Sequence, residues 1–598
     1  MTSYNAPLTE INFVLKELGN LERVSSLPGY EEVTPGLVSS ILEEAGKIGE
    51  DVLAPLNRIG DVQGCTLENG IVNTPDGFKE AYQKFIAGGW NSLPFDPEYG
   101  GQGLPWLVST AVSEIWHSAN MAFTLCPMLN YGAVELLYTH GSENLKSKYL
   151  RTMISGTWTG CMNLTEPQAG SDLGSIRCKA ARDGEAYRIF GTKIYITFGE
   201  HDYTENIIHM VLARMEGAPD GVRGISLFLV PKFLVNDDQS LGIRNDVRCV
   251  SIEHKLGINA SPTAVMSFGD NDGAIGYLVG EENHGLEYMF TMMNNERLAV
   301  GLEGVGVGER AYQQALAYAH NRLQGRKIDA NTPKQVPIIE HPDVKRMLLS
   351  MKVQIEATRA LAYFVAAELD VANRHPNAKL RKSAQARVDL LTPVIKAWGS
   401  DSGIEIANTG IQVHGGMGFI EETGAAQYFQ DARIAAIYEG TNGIQANDLV
   451  GRKVGRENAE TVLELTNEMR TISTKLLKAE SDHIKSTEEN FTAALFALEK
   501  ASKWIAAEWT SNRFAVAAGA VPYLRLLGLT TGAWLLFRSA LIAEKHLNKG
   551  EGNADFLNAK LVSARFFSDQ YLVQCPALYH TIRNGSTAIK ALPTIGLA

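Results

Sequence analysis

Thr165-Glu166-Pro167-Gln168-Ala169-Gly170-Ser171-Asp172 is a polar, glycine-broken loop, and the change of pattern on its C-terminal side decides the fold. Downstream, the chain turns into short segments rich in β-branched and aromatic residues. Tyr187-Arg188-Ile189-Phe190, Lys193-Ile194-Tyr195-Ile196-Thr197, His209-Met210-Val211-Leu212-Ala213 and Ile225-Ser226-Leu227-Phe228-Leu229-Val230 read as strands. Gly184, Gly191, Gly199 and Gly224 read as turns between them. Residues 158–282 are therefore expected to form a small β-barrel or sandwich.

On both sides the pattern is helical. Val38, Ile41, Ala45, Ile48 and Val52 recur at three- and four-residue steps in a helical domain over residues 37–157, and residues 95–103 break its helices. Periodic stretches over 287–321, 342–374 and 380–408 predict a bundle across residues 283–455, with a kink at Pro393. A polar, exposed loop is expected at 325–337. Gly304, Gly306 and Gly308 lie inside a helical pattern with no strand before them, so they read as small residues for close helix packing, not as a dinucleotide loop. Residues 456–598 form a further helical block without a chemical motif, expected to serve docking or assembly. Residues 1–36 read as an extension whose apolar Ile11-Asn12-Phe13-Val14-Leu15 could dock on a neighbouring surface. The fold class is mainly α with a central β-barrel domain.

A chain of 598 residues is too long for one core, so two to four folded units are expected. The net charge of −12 argues against a nucleic-acid partner, which leaves a basic footprint. Six cysteines in no metal-type spacing indicate a reducing compartment. Residues 1–15 lack the order of a secretory signal, and the expected location is the bacterial cytoplasm. The most apolar stretch, 514–537, is interrupted by Pro522 and Arg525 and reads as a buried helix pair, although peripheral association with a membrane surface remains compatible with it. Thirteen scattered histidines predict no metal site.

Candidate chemistry begins with Tyr438-Glu439-Gly440-Thr441. Glu439 ends an apolar approach, Ile434 to Tyr438, at a glycine-flexed corner before a helix start at Thr441. A carboxylate desolvated there would make a base near neutral pH; by pattern alone a solvated surface charge is the favoured reading, by roughly three to one. In the opening loop, Thr165, Ser171 and backbone N–H groups could donate to a heterocycle or phosphate. Tyr195 and Thr197 share a strand face, where an aromatic and a hydroxyl could stack on and bond to a flat ring. Gly415-Gly416 permits close backbone approach or merely a turn.

The ordered set Thr-Glu-Pro-x-Ala-Gly-Ser-Asp, Tyr-Ile-Thr, Gln-x-x-Gly-Gly and Tyr-Glu-Gly-Thr, on a helical, β and helical succession, resembles the acyl-CoA dehydrogenase flavoproteins over residues 37–454. Residues 95–104, 255–261 and 280–285 are similar too. The added C-terminal block and Tyr4-Asn5-Ala6-Pro7 resemble a long bacterial subgroup that includes 3-methylthiopropanoyl-CoA dehydrogenase and broad-range fatty acyl-CoA dehydrogenases. The resemblance implies noncovalent FAD. Met162, Leu164, Thr165, Gly170 and Ser171 would lie along the flavin and ribityl chain, with Tyr195 beside the ring where many members carry Trp, and Thr197 at the ring. Arg322, Gln412, Gly415 and Gly416 would bind the pyrophosphate and adenosine part across a subunit interface, and Thr441 would complete the site. Arg297 would contact the thioester-CoA, with Ser171 and Gly440 also on the substrate side. Asn294 stands where the family carries Asp.

The reaction implied by the resemblance is removal of an α-proton by Glu439 and hydride transfer from the β-carbon to FAD, giving a trans-2-enoyl-CoA. The expected substrate is a medium- or long-chain fatty acyl-CoA, with 3-methylthiopropanoyl-CoA second. The expected electron acceptor is an electron-transfer flavoprotein and the expected assembly a homodimer. The competing readings are an acyl-CoA oxidase and a non-enzymatic, flavin-bearing DNA-binding relative.

Overall fold

The computed structural model describes residues 3–328 and 334–591. Residues 329–333 of the expected polar loop, 1–2 of the N-terminal extension and 592–598 of the C-terminal block lie outside the described residues. The chain divides into two compact units: residues 47–104 with 119–299, and residues 1–46 with 105–118 and 300–598.

The first unit holds an eight-stranded sheet: β1 (Thr159–Asn163), β2 (Lys179–Asp183), β3 (Ala186–Thr197), β4 (Ile207–Met215), β5 (Ile225–Pro231), β6 (Val247–Ile252), β7 (Thr263–Phe268) and β8 (Ala274–Leu278). β3 pairs with β8, β8 with β5, β5 with β4, β4 with β2, and β2 with β3 again, so five strands close a ring. A closed ring has no open edge between those strands. Ile189, Val211, Phe228, Val230 and Ala274 are fully buried in its core.

One turn expectation is corrected here. Gly191 is not a turn; β3 runs straight through it. At that point β3 exchanges β2 and β8 for β7 as its partner. Gly191 has φ +144, and a Cβ there would come within 3.0 Å of Cys178. The glycine permits a close pass, and sequence alone cannot distinguish that from a turn.

The second unit is helical. Its elements include α2 (Gly285–Asn321), which follows α1 (Trp106–His140) in the chain and has its C-terminal part here, α3 (Pro342–Arg374), α4 (Ala378–His414), α5 (Asn442–Asp448) and α6 (Ala520–Lys549). α4 passes through Pro393 as one uninterrupted helix. The glycine-rich faces meet as the sequence implies: a Cβ on Gly304 would lie 2.1 Å from the Gly399 carbonyl oxygen, and one on Gly403 2.6 Å from the Gly304 Cα.

The terminal segments belong to this unit. Phe13 packs edge-on against Phe556 at 5.5 Å, and Lys560 bonds Glu10 and Glu356. The N-terminal extension thus docks on its own chain. α6 is long and apolar enough to cross a membrane, and 83% of its most apolar window is buried inside the protein. Pro522 sits in its first turn, where a proline leaves no helical hydrogen bond unmade. Its Gly528 and Gly532 lie against the Trp398 ring, and Trp534 packs edge-on to Phe364 at 5.4 Å.

Candidate functional site

Glu439 sits in a turn that its own sequence would not adopt unaided. Its φ is +56, a left-handed conformation uncommon for a residue with a Cβ, and Gly440 follows at φ +82. Such strain persists only where surroundings fix it, and it concentrates at functional sites. Four bonds fix this turn. The Tyr438 hydroxyl donates to Glu303 Oε2. Gln445 Nε2 donates to the Glu439 carbonyl at 2.9 Å. Lys396 Nζ donates to the Gly440 carbonyl at 2.8 Å and to Asn442 Oδ1 at 3.0 Å. Thr441 is the N-cap of α5, its hydroxyl accepting from the Ile444 N–H at 3.3 Å. Asn442 Nδ2 donates to Asp401 at 2.7 Å and to Ser400 at 3.0 Å, tying α5 to α4. The Glu439 side chain is half-buried.

Also in the helical unit, the end of α2 lies against the turn that closes α4. Tyr318 packs against His414 with ring centroids 4.5 Å apart, and Gln314 donates to the Thr423 carbonyl at 2.7 Å. This brings Arg322 towards Gln412, Gly415 and Gly416, all four exposed. A Cβ on Gly415 or Gly416 would meet nothing within 4 Å. Arg322 makes no ion pair, and the Gln412 amide no hydrogen bond, among the described residues. Leu323, Met417, Ile420 and the 87% exposed Phe419 surround them with apolar surface.

In the β-unit, Met162 is the last residue but one of β1, and Leu164 to Ser171 form the loop that leaves it. Glu166 fastens that loop. Its buried carboxylate accepts from Lys193 Nζ at 2.8 Å, from the Arg177 N–H at 2.6 Å and from the Cys178 N–H at 3.0 Å. Burial works against this charge, but the Lys193 ammonium and those N–H groups hold the carboxyl below its ordinary value. Lys193, wholly buried on β3, also donates to the Leu164 carbonyl at 2.9 Å, and the Ile194 N–H donates to the Thr165 carbonyl at 2.9 Å. The loop is therefore tied to the strand that carries Tyr195 and Thr197. Tyr195 has φ +60, and 61% of it is exposed. Thr165, Ser171 and Thr197 make no side-chain hydrogen bond among the described residues, and Gly170 is open. On α2, the buried Arg297 donates to Asn294 Oδ1 at 3.3 Å and lies over Phe290, 5.7 Å from its centroid. The amide at 294 thus still accepts from the guanidinium.

Each unit by itself suits part of a flavin dinucleotide. In the β-unit, backbone open at Gly170, an outward aromatic ring and hydroxyl groups suit a flat ring; in the helical unit, backbone open at Gly415 and Gly416 and the charge of Arg322 suit a pyrophosphate. The structure brings together Leu164, Thr165, Tyr195 and Thr197 in one unit and Arg322, Gln412, Gly415 and Gly416 in the other, while Glu439, Gly440 and Thr441 form the acidic turn.

Sequence reading gave no role to Glu166, Lys193, Glu303 or Lys396. Glu166 was visible only inside its motif, and its partner lies 27 residues away. Nothing local marks Glu303 or Lys396.

Family models match consecutive segments: the acyl-CoA dehydrogenase N-terminal domain over residues 67–157, the middle domain over 161–271, the C-terminal domain over 283–454, and an acetyl-CoA dehydrogenase C-terminal-like domain over 465–593. The chain is 47% identical over 582 residues to a 3-methylmercaptopropionyl-CoA dehydrogenase of Ruegeria pomeroyi, covering 97% of this chain and 98% of that one. It is 31% identical over 597 residues to the broad-specificity linear acyl-CoA dehydrogenase FadE5 of Mycobacterium tuberculosis, covering 96% of each. Its fold matches an acyl-CoA dehydrogenase complexed with FAD from Bacillus anthracis with a TM-score of 0.74 at 19% identity, over 94% of this chain and 90% of that one. A strained acidic turn, a loop tied to a barrel strand and end-to-end likeness to curated relatives agree: the chain belongs to the acyl-CoA dehydrogenase family of FAD-dependent oxidoreductases.

Proposed function

We propose that Glu439 is the base that takes the α-proton as this protein desaturates an acyl-CoA thioester to a trans-2-enoyl-CoA. The observation that carries the assignment is the turn itself, a left-handed, half-buried glutamate fixed through backbone carbonyls by Gln445 and Lys396. Bound FAD supplies the acceptor for the β-hydride. Met162, Leu164, Thr165, Gly170, Ser171, Tyr195 and Thr197 would hold its ring and ribityl chain, with Thr441 beside them. Arg322, Gln412, Gly415 and Gly416 would hold the pyrophosphate and adenosine. Arg297, with Asn294, Ser171 and Gly440, would hold the thioester end of the substrate. The fixed turn sets where the carboxylate can meet the α-hydrogen, and positioning of this kind is worth a large share of a barrier.

The identity to the Ruegeria pomeroyi enzyme favours 3-methylmercaptopropionyl-CoA as substrate. Straight-chain acyl-CoAs are the second reading, supported by the linear-chain relative. A panel of acyl-CoAs titrated against flavin absorbance decides between them. The proposed electron acceptor is an electron-transfer flavoprotein; rapid peroxide formation under air would reveal an oxidase instead. The apolar surface around Arg322 and Gly415 supports a homodimer closing over the adenosine end. Six free cysteines support a cytoplasmic location. The central experiment is Glu439→Gln: the variant should stay yellow with FAD and fail to bleach with acyl-CoA, and bleaching at the wild-type rate would remove Glu439 from its role.

A further inference from the structure

Glu303 lies on α2, wholly buried. Its Oε2 accepts the hydroxyl of Tyr438, the residue before the base, while Oε1 makes no hydrogen bond among the described residues. Three groups act on it: the Tyr438 hydroxyl, the Lys396 ammonium and the Glu439 carboxylate. The Lys396 ammonium is shared, since it also acts on Asp401. Of two carboxyls that act on each other, Glu303 and Glu439, the one buried away from water retains its proton. Glu303 is the more deeply buried of the two and is the one that stays neutral.

We infer that Glu303 is a positioning residue for the reaction: its neutral carboxyl anchors Tyr438 and hence the base turn, and its ionisation puts a second negative charge beside Glu439 that tightens the hold of Glu439 on its own proton. The inference rests on the assignment of Glu439 as base. Burial, above all, pushes the Glu303 carboxyl up to about 8; the Tyr438 hydrogen bond and Lys396 pull it down, and Glu439 adds to the rise. Two carboxyls that interact this way titrate as a pair, with two macroscopic steps.

The test uses full-length, FAD-loaded protein and follows single-turnover bleaching by acyl-CoA from neutral to alkaline pH. The wild type should show two coupled steps, the upper one near pH 8. Glu303→Gln should show one. Tyr438→Phe, which removes a bond favouring ionised Glu303, should move the upper step to higher pH by about one unit. A second readout needs no turnover: the infrared carbonyl band of a protonated carboxyl, taken as wild type minus Glu303→Gln, should be present at neutral pH and vanish as the upper step is crossed. A Glu303→Gln profile superposing on the wild type, or no such band at neutral pH, overturns the inference. Should Glu303→Gln fail to fold, the Tyr438→Phe shift decides, and an unmoved step counts against it. Continued bleaching by Glu439→Gln would instead sink the base assignment, which separates the two failures.

Discussion

The turn that carries the proposed base, Glu439, and the loop after β1 are fastened in opposite ways. The loop is held by a charge: Glu166, buried with Lys193, accepts two backbone N–H groups with its own side chain. The turn is held largely through its peptide carbonyls, by Lys396 and Gln445, with Tyr438 anchored on a neutral acid. A segment that only needs a fixed shape can commit a carboxylate to holding it. A segment whose carboxylate must accept a proton is better held by other groups. The first arrangement should therefore fail as loss of stability, and the second as loss of rate.

Glu439→Gln marks the outer limit of the contrast, with bleaching slowed by about 10³-fold or more and unfolding nearly unchanged. Lys193→Met comes next and leaves Glu166 charged and unpaired. It should cost about 3–5 kcal/mol in denaturant unfolding, and a loss below 1 kcal/mol would break the comparison. Lys396→Met should cost less, about 1–3 kcal/mol for acceptors left unmet, yet slow bleaching by about 10²-fold through misplacement of the proposed base. An unfolding loss without a rate loss would make the two regions alike. The acid limb of stability sharpens the contrast further. The Glu166 carboxyl titrates below its ordinary value in the folded chain, so its contribution is present above the unfolded value and drains away as pH falls through the folded one. Thermal unfolding in acid should show that loss, and Glu166→Gln should flatten it. The smallest effect belongs to Thr441→Ala, where loss of the N-cap should cost about 1 kcal/mol with a modest fall in rate.

Much of this molecule was legible because its signals are local. The stretch 342–374 shows helical period along its whole length and is α3 to the residue. Thr441 announces its helix by being a good cap. The glycines of α2 disclosed a close crossing because only small residues tolerate one. The features that stayed hidden depend on distant parts of the chain. Gly191 looks like a turn until its close pass by Cys178 is seen. Glu303 reads as one polar residue on a helix, and only the fold sets it beside Tyr438 and Lys396. The residues of a chemical motif could thus be named, while the side chains that hold them could not.

α6 has a practical corollary. Because Gly528 and Gly532 rest on Trp398, and Trp534 on Phe364, a gene cut at residue 455 would strip both aromatics and leave a greasy scar on α3 and α4. Such a truncated product would clump before it could be assayed, so the C-terminal block cannot be trimmed away as cargo.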